Sequence, residues 1–293
     1  MEPIEGKILG KQVGYPQHYS PEILVAVPRH LNREIYQLNS SSLPFIGLDI
    51  WHAYELSFLT KKGLPVAGLL KMSYSAESEF LVESKSLKLY LNGFNMQAYG
   101  TNVTQGIEQI LSIIEKDLSN LLKSKVQLAF FNDNIKDNNS DFSDYSLLEN
   151  IPKIQQASFN HYSETPTLLF PDTTNTAKEL KVATHLLRSN CKITHQPDWG
   201  SAFIHIKGNK LPDKVGLLQY LVSIRNENHF HEEICEMIYK RLWDTFSPEE
   251  LMVSCIYTRR GGIDICPVRV SNNNLLPMTL CNINSLSERL LRQ

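Results

Sequence analysis

The chain has 293 residues, 42% of them hydrophobic and 20% charged, and a formal net charge of −2. That length supports one large core or two domains of ordinary globular composition. The near-neutral charge argues against a nucleic-acid partner, which needs a basic face to neutralise phosphates. Five cysteines, Cys191, Cys235, Cys255, Cys266 and Cys281, form no C-x-x-C pair and leave one over from any pairing, which suits a reducing compartment. Met1 to Gly6 shows no basic region followed by an apolar run, and no apolar stretch approaches the ~18 residues of a membrane span. A cytoplasmic protein with no membrane partner is expected.

Residues 1–48 are rich in turn formers and read as an N-terminal extension wrapped on the surface. Strands are expected at 50–59 and 65–74, separated by the Lys61-Lys62-Gly63 turn. Residues 80–91 read as a strand end turning into a helix. Within 104–123, Ile107, Ile110, Leu111, Ile114, Leu118, Leu121 and Leu122 recur at helical spacing, and a strand follows at 126–131. Residues 132–144 are dense in Asn and Asp without periodicity, and read as an exposed linker at a domain boundary.

The second half repeats this order. A strand at 202–207 precedes a helix opened by Pro212 and Asp213, where proline is tolerated in the first turn. A second helix is expected at about 230–246 and a strand at 251–257. Tyr90-Leu91 and Tyr220-Leu221 sit in the first helix of each half, and each is followed by a loop, an amphipathic helix and a strand. The expectation is an α+β fold of two similar ββααβ-like modules, with antiparallel sheets carrying helices on one face. The first module takes 49–135 and the second 179–293, joined by a connecting segment at 136–178.

Four stretches could carry chemistry. In 189–200, the thiol of Cys191 and the carboxyl of Asp198 lie seven residues apart, and Pro197 forces a loop of set shape between them. A cysteine near an aspartate is more often a small buried hydrophobe than a nucleophile. Glu83-Ser84-Lys85-Ser86-Leu87-Lys88 also fits a solvated helix face. In His229-Phe230-His231-Glu232 the acid also suits the dipole of a helix start. Its two histidines lack third and fourth ligands at zinc spacing, so no metal is expected. Arg259-Arg260-Gly261-Gly262 is either a plain turn or a phosphate cradle, since glycine admits close backbone approach and arginine offers a planar fork of donors. No G-x-G-x-x-G stretch exists, so any dinucleotide would bind without a Rossmann turn.

Together, Glu83-Ser84-Lys85-Ser86-Leu87-Lys88-Leu89-Tyr90, Cys191-x-x-Thr194-x-Gln196-Pro197-Asp198, Phe230-His231-Glu232 and Arg259-Arg260-Gly261-Gly262 resemble the NADPH-dependent 7-cyano-7-deazaguanine reductases. These are the nitrile reductases of queuosine biosynthesis. The resemblance is to the long, two-module form and runs over nearly the whole chain, including Val27-Pro28-Arg29 and Asp49-Ile50-Trp51. It departs at Cys266-Pro267, where Asn-Pro is the pattern. It implies two tandem tunnelling-fold modules, a homodimer or larger oligomer, a small-molecule substrate and NADPH.

The resemblance further implies that Cys191 adds to the nitrile to give a thioimide and that Asp198 protonates its nitrogen. His231 would orient the substrate or assist that transfer, and two NADPH would be consumed. Val82, Glu83, Ser84, His231 and Glu232 would bind substrate, and Ser84, Lys85, Arg260 and Gly261 would bind NADPH. Phe230 either stacks on the heterocycle or belongs to the core. A pocket that needs residues of both halves must sit at a module interface. Two other readings differ in class. A zinc-dependent cyclohydrolase or pterin enzyme of the same fold would need a clustered Cys/His ligand set. A purine- or tRNA-binding protein would use Glu83 and Glu232 but leave the Cys191/Asp198 pair unexplained.

Overall fold

Strands with apolar side chains on both faces build the sheet around which the chain is organised. The computed structural model describes residues 16, 18–133, 140–174 and 176–293. The first half comprises β1 (Ala26–Pro28), α1 (His30–Arg33), β2 (Ile46–Leu59), β3 (Pro65–Ser75), β4 (Phe80–Val82), α2 (Ser84–Asn92), α3 (Val103–Leu122) and β5 (Val126–Phe131). After β6 (Ser146–Leu147) come β7 (Glu179–Cys191), β8 (Pro197–Lys207), α4 (Lys214–Ser223), β9 (Asn228–His229), α5 (His231–Phe246), β10 (Glu250–Tyr257), β11 (Ile263–Val270) and α6 (Met278–Cys281).

One sheet runs β5-β3-β2-β11-β10-β8-β7-β6, with β9 also paired to β7, while β1 and β4 form a separate ribbon. All neighbours in it are antiparallel except β6·β7 and β7·β9. The repeated β-β-α-α-β order is present in both halves. The two halves nevertheless share a single sheet, because β11 pairs with β2 from Ile263↔Ala53 to Val270↔Ile46.

Strand alternation sorts the side chains into two layers. On β10, Leu251, Val253 and Cys255 meet helical residues such as Leu217, Ile234 and Ile238, while Met252 and Ile256 join Phe203, Cys266 and Leu280 on the opposite face. On β2, Trp51 and Ala53 pack with Leu87, Tyr90, Ile110 and Ile114 of α2 and α3. Helices therefore cover one face, and the C-terminal segment covers part of the other.

The helix starts follow from local chemistry. Asn102 accepts from Gln105 N at 3.0 Å to start α3, and Asp213 accepts from Val215 N and Gly216 N, both at 2.9 Å, to start α4. Asp213→Ala removes an acceptor that satisfies two otherwise orphaned amides. It is expected to lower the unfolding free energy by about 1 kcal/mol, read from a shift in the urea midpoint at constant slope.

Three expectations change. The extension is not a surface wrap: among its described residues Val27, Arg29, Arg33, Tyr36, Leu38 and Phe45 are buried, since its apolar residues join the cores and β1 pairs with β4. Residues 1–15 and 17 lie outside the described residues. The polar stretch at 132–144 docks at its C-terminal end, where Phe142 stacks on Phe203 with ring centroids 4.0 Å apart. There Asp141 also accepts from Thr279 N and Leu280 N, at 2.9 and 2.7 Å, while residues 134–139 lie outside the described residues. Finally, the 189–200 loop is mostly strand, because β7 extends to Cys191 and β8 begins at Pro197, leaving 192–196 as the turn.

Candidate active site

That turn holds the thiol in place. Cys191 N donates to Gln196 O at 2.8 Å, and His195 N donates to Cys191 O at 3.0 Å. His195 takes a positive φ of 54°, and its Nδ1 lies 2.7 Å from Asn228 Oδ1. On its other side β7 pairs in parallel with β9, placing Cys191 opposite His229. A backbone clamped on both sides fixes where Sγ points, and Cys191 is buried.

Asp198 stands across the hairpin, opposite Ser189. Its carboxylate is buried and bridges two groups, with Arg260 Nη1 2.8 Å from Oδ1 and His231 Nε2 3.5 Å from Oδ2. The His231 ring packs on Tyr257, with centroids 4.0 Å apart. An acid and an imidazole are thus held in reach of one another.

The consecutive acids at the start of α5 divide their work. Glu233 satisfies the helix terminus: its Oε2 accepts from Phe230 N at 3.0 Å and lies 3.3 Å from His229 Nδ1, and its Oε1 is 3.2 Å from Lys192 Nζ. The helix-terminus role considered for Glu232 therefore belongs largely to Glu233. Glu232 is only 3% exposed, and its Oε1 has no hydrogen-bond partner among the described residues. Burial, reinforced by the neighbouring Asp49 carboxylate, pushes the Glu232 carboxyl up to about 8.

These groups meet in one cavity. Val82 and Ser84 come to it from the first half. Cys191, Asp198, His229, Phe230, His231, Glu232 and Arg260 come from the second, and Val27, Trp51, Leu81 and Ile265 supply apolar wall. Glu83, Lys85 and Gly261 are not among its walls. Glu83 is buried and caps α2, its Oε2 accepting from Ser86 N at 3.1 Å. Gly261 borders a second cavity together with Gly262, Lys88, Glu55 and Asn92. The turn there needs glycine: φ is +60° at Gly261 and +78° at Gly262, and a Cβ on Gly262 would lie 2.4 Å from the Glu55 carboxyl carbon.

Two features escaped sequence reasoning. One is the strand β11, whose Ile265 faces the cavity. The other is a buried ion network around Asp49, Glu236, Arg29, Arg33 and Arg269 next to Glu232. Its signal was available, since isolated charges inside apolar strands, such as Asp49 before Ile50-Trp51 and Arg269 between Val268 and Val270, are buried only when paired. The Cys266 departure lies on the other face of β11. There His52 Nδ1 is 2.6 Å from Asp264 Oδ1, Tyr54 donates to Asp264 Oδ2 at 2.5 Å, and the Cys266 thiol is 3.6 Å from Oδ1. Both oxygens of Asp264 are engaged by these neighbours, and burial beside Asp264 holds the Cys266 thiol well above its ordinary range.

A buried thiol, an acid–imidazole pair and a buried carboxyl with one unpaired oxygen thus share one cavity, an arrangement capable of nucleophilic and acid–base chemistry. The family description "Nitrile reductase, 7-cyano-7-deazaguanine-reductase N-term" matches residues 15–130, and "QueF-like protein" matches residues 197–274. A curated NADPH-dependent 7-cyano-7-deazaguanine reductase of Colwellia psychrerythraea is 38% identical over 281 residues, covering 92% of this chain and 93% of that protein. Another, of Rickettsia felis, is 39% identical over 272 residues, covering 93% and 95%. The crystal structure of an archaeosine synthase QueF-Like in the apo form aligns with 33% of this chain and 95% of its own, at 14% identity and a TM-score of 0.31. The chain belongs to the NADPH-dependent 7-cyano-7-deazaguanine reductase family.

Proposed function

We propose that this protein reduces the nitrile of 7-cyano-7-deazaguanine to the aminomethyl group through a thioimide on Cys191, consuming two NADPH. The observation that carries this reading is the one cavity that gathers Cys191, Asp198, His231 and Glu232, whose Oε1 has no donor among the described residues.

The chemistry follows from what each group can do. A nitrile carbon is a poor electrophile, and covalent addition divides the difficulty. The Cys191 Sγ–C bond forms as one C–N π bond breaks, and the nitrogen takes up a proton. Asp198 and His231, held 3.5 Å apart, accept the thiol proton and deliver one to that nitrogen. When bound, NADPH supplies the hydrides, two being required for the four-electron change from nitrile to amine. Cys191 departs as thiolate when its S–C bond breaks and the imine forms. The Asp198–His231 pair, resupplied from solvent, protonates the nitrogen again.

Glu232 suits the guanine-like edge, because a carboxylate accepts from ring N–H and exocyclic amine together. Glu83 and the backbone of Val82 and Ser84 complete that contact, and His231 orients the ring. Phe230 lines the cavity, which favours stacking on the heterocycle over a purely core role. The residues present also suit NADPH: Lys88 brings a cation and Gly261 a backbone that no Cβ obstructs to the second cavity, while Arg260, the residue before Gly261, lines the cavity of Cys191. Ser84 and Lys85, in the first turn of α2, complete the proposed cofactor contacts. The repeated element order supports two tandem tunnelling-fold modules, and a homodimer is the assembly that goes with them.

Two outcomes test this reading. NADPH consumed and amine formed should stand in a 2:1 ratio; a 1:1 ratio would end it. Asp198→Asn keeps the shape but loses the acid, and is expected to lower kcat on the order of 10²–10⁴-fold. A kcat unchanged by that substitution would place the proton source elsewhere.

A further inference from the structure

Beside the cavity, a cluster of fully buried charges is out of balance. Asp49 and Glu236 face three guanidinium groups. Arg29 pairs with Asp49, and Arg269 Nη1 lies 2.8 Å from Asp49 Oδ1. Glu236 accepts from Arg33 Nε at 2.9 Å and Nη2 at 2.7 Å, and from Arg269 Nε at 3.1 Å and Nη2 at 2.8 Å. Arg29 Nη1 is a further 3.6 Å from Glu236. All five side chains are no more than 4% exposed, so solvent does little to balance the extra positive charge.

The third buried carboxyl is Glu232, one helical turn before Glu236 on α5. Its Oε1 lacks a donor. Asp49, Arg29 and Arg269 act on it electrostatically, as does Tyr74 of β3. Other titratable groups near it are His231 and the buried Glu233 on its own helix, with Cys191, Asp198, His229 and Arg260 in the cavity walls.

We propose that Arg29, Arg33 and Arg269 form a charge reservoir for Glu232, so that ligand entry is coupled to release of the Glu232 proton. The Arg29–Asp49–Arg269 arrangement is then a positioning device for recognition. This inference rests on the reading of the cavity given above. One oxygen of Glu232, Oε1, has no donor among the described residues, and burial, reinforced by the Asp49 carboxylate, holds the carboxyl up at about 8. A ligand edge with adjacent N–H donors supplies what is missing. The ionised form then brings the cluster to three cations and three anions, and the proton goes to solvent.

The test is calorimetry of 7-cyano-7-deazaguanine binding to the full-length Cys191→Ala variant, which cannot form the covalent adduct. Heats are compared in two buffers of different ionisation enthalpy. At pH 7 about one proton should be released per ligand, and affinity should rise about tenfold from pH 6 to pH 7. Glu232→Gln on this background should abolish both. Asp49→Asn removes an anion beside Glu232 and should move the pH profile down, whereas Arg29→Gln removes a cation and should move it up. A role in packing alone would weaken binding in both without opposed shifts. If Arg29→Gln does not fold, the sign of the Asp49→Asn shift decides. Unchanged binding in Glu232→Gln would overturn the reading of the cavity itself. Weakened binding in Glu232→Gln with no proton release in the parent, or with Asp49→Asn moving the profile upward, would overturn the reservoir and leave that reading standing.

Discussion

Cys191→Ala is expected to reduce turnover on the order of 10⁴-fold or more while leaving substrate binding nearly intact. Without Sγ the nitrile must be attacked directly, and nothing else in the cavity replaces the covalent step: Cys235, Cys255, Cys266 and Cys281 all lie outside its walls. Intact-protein mass spectrometry makes the test specific. Protein mixed with 7-cyano-7-deazaguanine alone should gain the whole mass of the substrate, because addition of the thiol across the nitrile expels nothing. The alanine variant should gain none, and NADPH should discharge the adduct to the amine. Tight binding to the parent protein without an adduct would refute covalent activation.

The second large effect falls on stability. Glu236→Ala is expected to lower the unfolding free energy by about 3–5 kcal/mol, because it strands Arg33 and Arg269 in the interior. Despite the opposing cost of burial, the surrounding guanidinium groups pull the Glu236 carboxyl down to about 2. The folded value lies below the ordinary glutamate value of about 4.3. The contribution is therefore fully present above about pH 4.3, and is lost as pH falls through the window down to about 2. Urea midpoints across that window should fall steeply for the parent and less so for Glu236→Ala. An unfolding free energy at neutral pH within about 1 kcal/mol of the parent's would show that the cluster contributes little to the fold.

The buried network also shows where reading the chain alone stops. Regular local patterns were legible. Ile110, Ile114, Leu118 and Leu122 fall on one helical face, and all four are buried in α3. A helix does open at Asp213, which serves as the cap of α4 while Pro212 precedes the cap rather than sitting in the first turn, and the repeated order of elements is present. Strands with interrupted patterns were missed. In β7 the register with β8 shifts between Thr184 and Leu187, which breaks the two-residue alternation that identifies a strand. In β11 Pro267 breaks the pattern, since proline inside a run argues against a central strand. The structure nevertheless pairs it with Asp49.

The candidate site divides in the same way. Motif by motif, Cys191, Asp198, His231, Glu232, Val82, Ser84 and Arg260 could be named from residue types and their resemblance to a family, and all of them line the cavity. Which of two adjacent acids caps the helix and which faces the cavity could not, because Glu232 and Glu233 are equivalent until α5 packs. Nor could the environment of Glu232, which depends on Arg29, Asp49 and Arg269 arriving from three distant segments. The sequence by itself determined the helices, the caps and the chemical inventory, since these depend on neighbours within a few residues. Tertiary structure alone decided that β2 and β11 join the halves into one sheet, and that buried charges surround the Glu232 carboxyl. Those outcomes depend on strand register and on burial, and neither is a property of any local stretch.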